Sequence, residues 1–320
     1  MSKPIKKWLS IIIPLLLGIF FIAYAYNRFS KEELELITQN FRNANYFYIF
    51  ISIIFGFIAS FARSYRWKYT LKHLGYDVPF KNQFLAVNVS YLMNMFIPRS
   101  GEISRALVLK NYNNVPFDKG FGTIIAERIV DLVVLFAMVA LIFFLQFDIV
   151  KTFILDYIPQ EKITLLTLAG ILFFAALFTV YRYSKLKIII SLKEKLSGLK
   201  EGVLSVINMK TKWEFLFYTI LIWVSYVLMF WVSIFAFPET SGLDFTAVLT
   251  TFVVGSIAIA FTNNGLGSYP FLVSEILLFY AVTATVGTAF GWVVWTAQMS
   301  FTIVLGLVSL FLLPVLNRKN

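Results

Sequence analysis

Long apolar runs constrain the fold of this chain more than any other feature of its sequence. A helix needs about 20 mostly apolar residues to cross the hydrocarbon core of a bilayer. Six runs have about this length: 8–26, 46–62, 121–146, 163–181, 214–237 and 287–316. Because 59% of the residues are hydrophobic and only 14% are charged, the composition differs strongly from that of soluble domains. The sequence predicts an all-α polytopic membrane protein with about six full transmembrane helices.

A polar break interrupts two shorter apolar stretches, 82–97 and 103–109. Neither stretch is long enough to cross a bilayer by itself. Between them, Pro98 disfavours helix at the residue before it, and Gly101 allows the chain to turn. We therefore predict a re-entrant helical hairpin, which enters the membrane and leaves it on the same side. Irregular backbone at membrane depth is tolerated only inside protein or beside a watery cavity, so this break is a candidate functional site.

A second break has a different composition. The apolar stretches 246–262 and 269–282 are separated by six residues rich in Asn and Gly, and Pro270 follows closely. The polar and flexible residues of this break are Asn263, Asn264, Gly265, Gly267 and Ser268. Their pattern predicts a second re-entrant hairpin with polar side chains at its turn.

The order span, hairpin, span occurs twice within one membrane domain of residues 1–320, at about 46–146 and about 214–316. Corresponding points keep a near-constant separation: Tyr46 and Glu214 are 168 positions apart, Gly101 and Gly265 are 164 apart, and Phe121 and Thr288 are 167 apart. The first unit is predicted to start outside and the second inside, so the two repeats are inverted. Paired interrupted segments in inverted halves are typical of a transport site near the bilayer midplane.

Lysine and arginine residues set the predicted orientation, because they are concentrated in cytoplasmic loops. We place both termini in the cytoplasm and let each hairpin return to its own side. Few of the 28 basic residues then face the outside, namely Arg28, Lys31, Arg42, Lys151 and Lys162. Arg28, Lys31 and Arg42 lie in the segment 27–45, which is predicted to be an outer loop.

Two basic segments are predicted on the cytoplasmic side. A loop after the second span contains Arg63, Arg66, Lys68, Lys72 and Lys81. The segment 182–212 combines eight basic residues with apolar residues at helical spacing, which is typical of an amphipathic helix on an anionic leaflet. We therefore attribute the net charge of +11 to contact with anionic lipid headgroups and expect no binding of nucleic acid.

The first apolar run has an alternative interpretation. Ala23, Tyr24 and Ala25 resemble the A-x-A cleavage site of a secretory signal peptide. The run is longer than the apolar core of a typical signal, which favours an uncleaved first helix.

Six charged residues in the first half are the main candidates for a functional site, because charge inside a membrane domain is costly and usually functional. They are Arg99, Glu102, Arg105, Glu127, Arg128 and Asp131. In one interpretation they form ion pairs that lock the hairpin to the helix that follows it. In the other, Arg99 and Arg105 bind a phosphate group while the acidic residues orient them or bind a coupling cation.

The second half carries one formal charge between positions 245 and 317, on Glu275. A lone carboxylate in so apolar a region is expected to be either protonated or paired. It is interpreted either as a proton or cation site or as a residue at the rim of the membrane. Trp292 and Trp295 are interpreted as interfacial or packing residues.

The sequence lacks the motifs of soluble enzymes. It contains no P-loop and no G-x-S-x-G motif, and Cys is absent. We therefore expect no enzymatic activity, no catalytic residue, no cofactor and no metal site. Assembly into a homo-oligomer is compatible with the sequence.

Two motifs resemble the transmembrane region of the lysylphosphatidylglycerol synthases, a family also called flippase-like domain proteins. The first is PRSGE at 98–102 with Arg105, and the second is AERIVDL at 126–132. In that family a Pro, a polar stretch, Gly-Glu and an Arg precede Glu-Arg-x-x-Asp on the next helix. The glycine turn at 265–267 looks like the family's second hairpin, although many members carry an acid just after it, where this chain has Tyr269 and Pro270. The resemblance extends over about 8–316.

The resemblance implies a bacterial or archaeal inner-membrane protein that moves, or helps to move, a lipid across the bilayer. The expected substrate is an anionic lipid, either a phospholipid or a polyprenyl phosphate, that crosses in a polar groove between the hairpins. Two other functions stay open: a non-transporting scaffold for envelope lipid synthesis, and a transporter of small solutes or ions. In some family members a separate C-terminal domain attaches an amino acid to phosphatidylglycerol, and this activity is not expected here.

Overall fold

The structure, a computed structural model, describes residues 3–147, 179, 206 and 208–318. The regular elements in these residues are helices, as predicted. They are α1 (Lys3–Arg28), α2 (Lys31–Asn43), α3 (Tyr46–His73), α4 (Phe80–Phe96), α5 (Ser100–Asn113), α6 (Phe117–Leu145), α7 (Lys212–Ser233), α8 (Phe245–Phe261), α9 (Ser268–Leu278) and α10 (Ala284–Leu316). A short 3-10 turn, Ile234–Ala236, follows α7. The predicted span 163–181 and most of the basic segment 182–212 lie outside the described residues.

The chain divides into two compact units. The first consists of Met1–Ile124 and Lys210–Asn320, and the second of Ile125–Met209. The helices that surround the two breaks, α1–α5 and α7–α10, belong to the first unit. The described part of the second unit is chiefly the remainder of α6.

Helix lengths agree with the predicted division into long and short segments. Four described helices are long and apolar enough to cross a membrane: Tyr46–His73, Phe117–Leu145, Lys212–Ala236 and Ala284–Leu316. By contrast, α4 and α8 have 17 residues each, and α5 and α9 have 14 and 11. At 1.5 Å per residue, α4 and α8 are about 25 Å long, shorter than the roughly 30 Å hydrocarbon core. The helices beside the breaks are therefore shorter than the four long apolar helices.

The predicted outer loop 27–45 is wrong, because most of it forms α2. The Oγ of Ser30 accepts a hydrogen bond from the N–H of Glu33 at 3.2 Å, and the carboxylate of Glu33 accepts from the N–H of Ser30 at 2.8 Å. This reciprocal capping box satisfies donors that the start of a helix leaves unpaired. The helix is amphipathic, and Ile37 is its buried residue.

The predicted basic loop after the second span is also wrong, because α3 continues to His73 and Lys81 lies in the first turn of α4. Arg63 and Arg66 lie within α3 and are buried. The Nη2 atom of Arg63 is 3.4 Å from the hydroxyl oxygen of Tyr226, and Nη1 of Arg66 is 3.3 Å from Oγ1 of Thr219. Polar side chains on α7 thus accommodate arginine inside the bundle, where the sequence alone indicates the end of a span.

Helices α3 and α7 pack side by side in opposite directions. The N–H of Asn45, at the start of α3, donates to the carbonyl of Ala236, just after α7, at 2.8 Å. Near the other end of α3, the ring of Tyr69 lies 5.8 Å from the ring of Tyr218, which is close to the start of α7. The start of each helix is therefore beside the end of the other.

Helix α10 packs against α4. A Cβ atom on Gly306 would lie 2.6 Å from the Cβ of Leu92, so the two helices approach closely at this glycine. At the end of α10, Asn317 and Asn82 exchange two hydrogen bonds between their side-chain amides, each 2.9 Å long. The last turn of α10 is thereby fixed beside the start of α4.

An apolar core connects α3 to the pair α4 and α5. Its fully buried side chains include Trp67 and Leu71 on α3, Ala86 on α4, and Ala106 and Leu109 on α5. Inside a bilayer, such contacts are favoured by van der Waals packing more than by removal of apolar surface from water. This packing positions the first break relative to α3.

Candidate functional site

The first break is a three-residue link between α4 and α5. Arg99 in this link has a φ of 63°, in the left-handed region that residues other than glycine seldom adopt. The Oδ1 atom of Asn94 accepts a hydrogen bond from the N–H of Gly101 at 2.7 Å, and Oγ of Ser100 donates to the carbonyl of Met93 at 2.9 Å. The first bond satisfies an N–H group that the start of α5 leaves unpaired. The second adds a donor to a carbonyl that already accepts from the N–H of Ile97.

The two helices of this pair are in close contact at both ends. Near the turn, a Cβ atom on Gly101 would lie 2.2 Å from the carbonyl oxygen of Ser90, so a larger residue does not fit. At the opposite end, Nδ2 of Asn82 donates to Oδ1 of Asn113 at 3.0 Å. The start of α4 and the end of α5 are therefore neighbours.

The second break is formed by backbone geometry more than by side chains. Asn264, Gly265 and Gly267 have positive φ values of 51°, 76° and 68°. Glycine adopts such values at no steric cost, and asparagine tolerates them better than most residues. The hydroxyl oxygens of Thr262 and Ser268 are 2.8 Å apart and connect the end of α8 to the start of α9.

Two neighbouring helices touch this second break directly. A Cβ atom on Gly267 would lie 2.4 Å from the carbonyl oxygen of Gly18, so the backbone of α1 lies against the turn. A Cβ atom on Gly291 of α10 would lie 2.7 Å from the Cα of Pro270. Glycine is required here because backbone lies against backbone.

The second break contacts the last turn of α4, next to the first break. The Nδ2 atom of Asn264 donates to the backbone carbonyl of Asn94 at 3.1 Å. The carbonyl of Asn264 in turn accepts a hydrogen bond from Nε1 of Trp295 at 2.8 Å. Asn263 and Asn264 are both partly exposed. Asn94 is therefore the residue that joins the two breaks, through its side chain to Gly101 and through its carbonyl to Asn264.

The charged residues of the first helix pair lie in different environments. Arg99 is exposed at the turn, and Glu102 is partly exposed in the first turn of α5, where a carboxylate is favoured by the helix dipole. Arg105 is 2% exposed, and its guanidinium carbon lies 3.7 Å from the ring centre of Trp67. The Nε1 atom of Trp67 donates to Oγ1 of Thr123 at 2.9 Å, which fixes the ring under the arginine. This stacking is a cation–π contact in a site with little water.

Three of the predicted site residues belong to the second unit. Glu127, Arg128 and Asp131 lie within two turns of α6. Glu127 and Asp131 are buried, and they occupy the same face of the helix because they are four positions apart.

Glu275 has a partner in the structure. Its carboxylate forms an ion pair with the guanidinium group of Arg28 at the end of α1. The side chains of Arg28 and Glu275 are 42% and 34% exposed. Glu275 is therefore paired, which is one of the two states expected of a carboxylate in so apolar a region.

Sequence reasoning missed three polar residues that the structure places inside the first unit. Arg63 and Arg66 were assigned to a loop, although their spacing of three positions is the spacing of one helix face. Asn94 lies in the apolar stretch 82–97, where the sequence predicts no functional residue. A polar amide at the end of an apolar arm, seven positions before Gly101, is a signal for a cap supplied across a tight turn.

The described residues contain no group of three His, Asp or Glu side chains that is arranged to hold a metal ion. Trp292 and Trp295 pack edge to face, with ring centres 5.5 Å apart. Trp295 therefore acts as a packing residue, as predicted, and it also donates a hydrogen bond to the second break.

Together, the helical architecture and the apolar helices define a multi-pass membrane protein. Residues 11–306 match the model of the lysylphosphatidylglycerol synthase TM region. The chain therefore belongs to this family, which confirms the resemblance found in the sequence.

A relative in the archaeon Methanocaldococcus jannaschii supports the same family. It is the UPF0104 membrane protein MJ1595, which is 24% identical over 260 residues that cover 73% of this chain and 75% of the relative. No solved structure matches the chain.

Proposed function

We propose that the protein translocates or scrambles an anionic lipid, of the phospholipid or polyprenyl-phosphate type. In this proposal the polar headgroup crosses the membrane where the two breaks meet. The observation that carries the proposal is the hydrogen bond between Asn264 and Asn94, which joins two interrupted helix pairs from distant parts of the sequence. Interrupted segments that meet are the arrangement expected of a transport site.

The proposal treats both helix pairs as re-entrant hairpins. Its support for the first pair is the 3.0 Å hydrogen bond between Asn82 and Asn113, because a segment that returns to its own side has its two ends together. The short lengths of α4, α5, α8 and α9 support the same topology. Exposed carbonyl and N–H groups at such turns would line a polar path.

The proposal also treats the two sets of four helices as inverted repeats. The starts of equivalent helices differ by 165 to 168 positions: Tyr46 and Lys212, Phe80 and Phe245, Ser100 and Ser268, and Phe117 and Ala284. Helices α3 and α7, the first members of each set, run in opposite directions. Opposite directions of equivalent helices are what an inverted repeat requires.

Orientation in the membrane follows from the same contacts in combination with the distribution of basic residues. We propose that both termini face the cytoplasm of a cell with an inner membrane. The hydrogen bonds between Asn317 and Asn82 support a common side for the end of the chain and the base of the first pair. The Arg28–Glu275 ion pair would then lie at the outer surface.

Roles for individual residues follow from their exposure. Arg99 is proposed to contact the anionic headgroup, because it is the exposed arginine at the first turn. Asn263 and Asn264, which are partly exposed, would offer uncharged hydrogen-bonding groups beside it, while the buried Ser268 would hold the second turn through Thr262. Arg105 is proposed to position α5 through its contact with Trp67.

Three further residues of the first unit have proposed roles at the breaks. Glu102 would orient Arg99, while Gly265 and Gly267 give the second turn its shape. No enzymatic step, cofactor or nucleic acid is part of this proposal, and a homo-oligomer is compatible with it.

A reconstitution experiment tests the function. The full chain is inserted into liposomes that contain fluorescent phosphatidylglycerol, and the fraction of label accessible to an external quencher is followed over time. We expect the wild-type protein to move label between leaflets faster than empty liposomes do. Replacement Arg99→Ala should lower the rate about tenfold, because a direct charge-assisted contact to a phosphate is lost.

The matched control is Lys110→Ala, which removes an exposed charge from the other end of the same helix. This variant should translocate lipid at the wild-type rate, and thermal melts should show that both variants are folded. Equal rates for wild-type protein and empty liposomes, with both phospholipid and polyprenyl-phosphate probes, would overturn the proposal.

A further inference from the structure

Two apolar clefts lie in the first unit beside α2. The first has a volume of about 250 Å³ and lies between α1, α2, α9 and α10. The second has a volume of about 420 Å³ and lies between α2, the start of α3 and α10. Phe41 and Trp292 line both clefts, so the two spaces are neighbours.

The amphipathic helix α2 forms one wall of the first cleft. Leu34, Ile37 and Phe41 lie at positions i, i+3 and i+7 and therefore share one face of this helix. Thr288 and Trp292 of α10 lie opposite them. The lining of this cleft contains no charged side chain. An apolar cavity of this kind does not hold ordered water well, and a hydrocarbon fits it.

The clefts border the point at which the two breaks meet. Gly267 of the second break lines the first cleft. Trp292 contacts Trp295, whose indole N–H donates to the carbonyl of Asn264. A molecule with an apolar part in the clefts would therefore have its polar part beside the hydrogen bond between Asn264 and Asn94.

We propose that the two clefts hold one hydrocarbon chain of the lipid whose headgroup crosses at the breaks. This inference rests on the proposed function. It adds a second contact between protein and lipid, made by the hydrocarbon chain of the lipid and not by its headgroup. The occupant is a long acyl or isoprenoid chain, because the lining is apolar and the helices around it are those of a membrane domain. The clefts keep that chain next to α2 while the headgroup contacts the breaks.

Photocrosslinking of the full chain tests the inference. The protein is reconstituted in liposomes that contain phosphatidylglycerol with a diazirine near the end of one acyl chain. After illumination, the peptides that carry lipid are identified by mass spectrometry. We expect label on peptides from α2 and α10 above the level on the exposed face of α7, which serves as the bilayer reference.

A matched pair of variants makes the test specific. Ala25 lines the first cleft, whereas Ala23 on the same helix is exposed and does not line it. Replacement Ala25→Phe should reduce labelling of α2 and α10 about tenfold, because the ring fills the space of the chain. Replacement Ala23→Phe should leave it unchanged. Ala297→Phe, in the second cleft, repeats the test if Ala25→Phe does not fold.

Each outcome bears on the inference separately from the function. Uniform labelling of all lipid-facing helices, or equal labelling in Ala25→Phe and Ala23→Phe, would overturn the binding of a hydrocarbon chain in the clefts. This would hold even if the protein translocates lipid in the liposomes. Specific labelling without translocation would support the chain site and contradict the proposed function. Competition by unlabelled phosphatidylglycerol or by a polyprenyl phosphate would distinguish an acyl from an isoprenoid chain.

Discussion

The two breaks of this protein interrupt helices of similar length in different ways. The first uses side chains: Asn94 accepts from Gly101, and Ser100 donates to the end of α4. It also carries Arg99 and Glu102. The second uses backbone geometry, because Asn264, Gly265 and Gly267 have positive φ values. It carries no formal charge. One turn is closed by hydrogen bonds of polar side chains, and the other by a glycine-rich backbone with positive φ values.

The difference in charge explains why the first break is exposed at Arg99 and the second is buried against another helix at Gly267. A turn with charged residues needs exposure to a polar medium, and Arg99 is indeed exposed. An uncharged glycine turn can be buried against other helices, and Gly267 is buried against α1. We infer that the first break makes the ionic contacts of the proposed site, while the second shapes the path. The variants below test this comparison, from the largest expected effect to the smallest.

Replacement Gly101→Ala should have the largest effect on stability. The new Cβ would meet the carbonyl oxygen of Ser90 at 2.2 Å, and this backbone atom cannot move aside as the end of a flexible side chain could. Overpacking of this kind costs about 3–4 kcal/mol of the free energy of unfolding. Chemical denaturation in detergent measures it. Gly122→Ala is the control, because a Cβ there meets nothing within 4 Å. Equal stabilities of the two variants would contradict the close packing of this pair.

Replacement Gly267→Ala should have the second largest effect, for two reasons. The φ of 68° strains any residue with a Cβ, and that Cβ would lie 2.4 Å from the carbonyl oxygen of Gly18. Strain and overpacking together should cost about 2–3 kcal/mol, less than at Gly101 because α1 can shift. Limited proteolysis should also cut α1 faster. In the control Gly242→Ala, the new Cβ faces open space and φ is not positive. An equal loss of stability in this control would contradict the strain and overpacking expected at Gly267.

Replacement Asn264→Gly should have a smaller effect and isolates the contact between the breaks. Glycine keeps the positive φ but removes the donor to the carbonyl of Asn94. Loss of one such hydrogen bond costs about 1 kcal/mol. Asn264→Ala should cost about 1 kcal/mol more, because alanine tolerates the left-handed region poorly. Lipid translocation should fall in both variants, and an unchanged melting temperature for Asn264→Gly would show that the two breaks are not coupled.

Replacement Glu275→Gln should have the smallest effect. The side chains of Arg28 and Glu275 are 42% and 34% exposed, so the ion pair contributes at most about 0.5 kcal/mol after solvent screening. The loss should shrink further at 1 M salt, where charges are screened within about 3 Å. Thermal melts at low and high salt measure this difference. The charge swap of Arg28→Glu with Glu275→Arg should restore stability, and a failure to do so would assign the effect to packing.

Part of the fold was predictable because its signals are local. Apolar run length identified the long helices, and Pro98 and the glycines of the second break marked both interruptions. The capping box of α2 was equally local, since Ser30 and Glu33 stand in the S-x-x-E pattern, and it was overlooked because the segment is polar. Local signals place helix ends; they do not give the packing of distant segments.

The partners of the site residues were not predictable. Glu275 pairs with Arg28, which is 247 positions away in the sequence. Asn264 donates a hydrogen bond to the carbonyl of Asn94, which is 170 positions away. Arg66 and Thr219 come together in the same way. A pattern within one helix contains no information about which polar group on another helix will face it.

The sequence by itself determined which segments of this protein are apolar helices and where the two short pairs break, because bilayer thickness, proline and glycine act over a few residues. Only the tertiary structure decided that the breaks meet at Asn94 and Asn264, that Arg105 stacks on Trp67, and that Arg63 and Arg66 lie inside the bundle. The physical reason is that polar groups in a dry interior must find partners, and the packing of whole helices determines which partners are within reach.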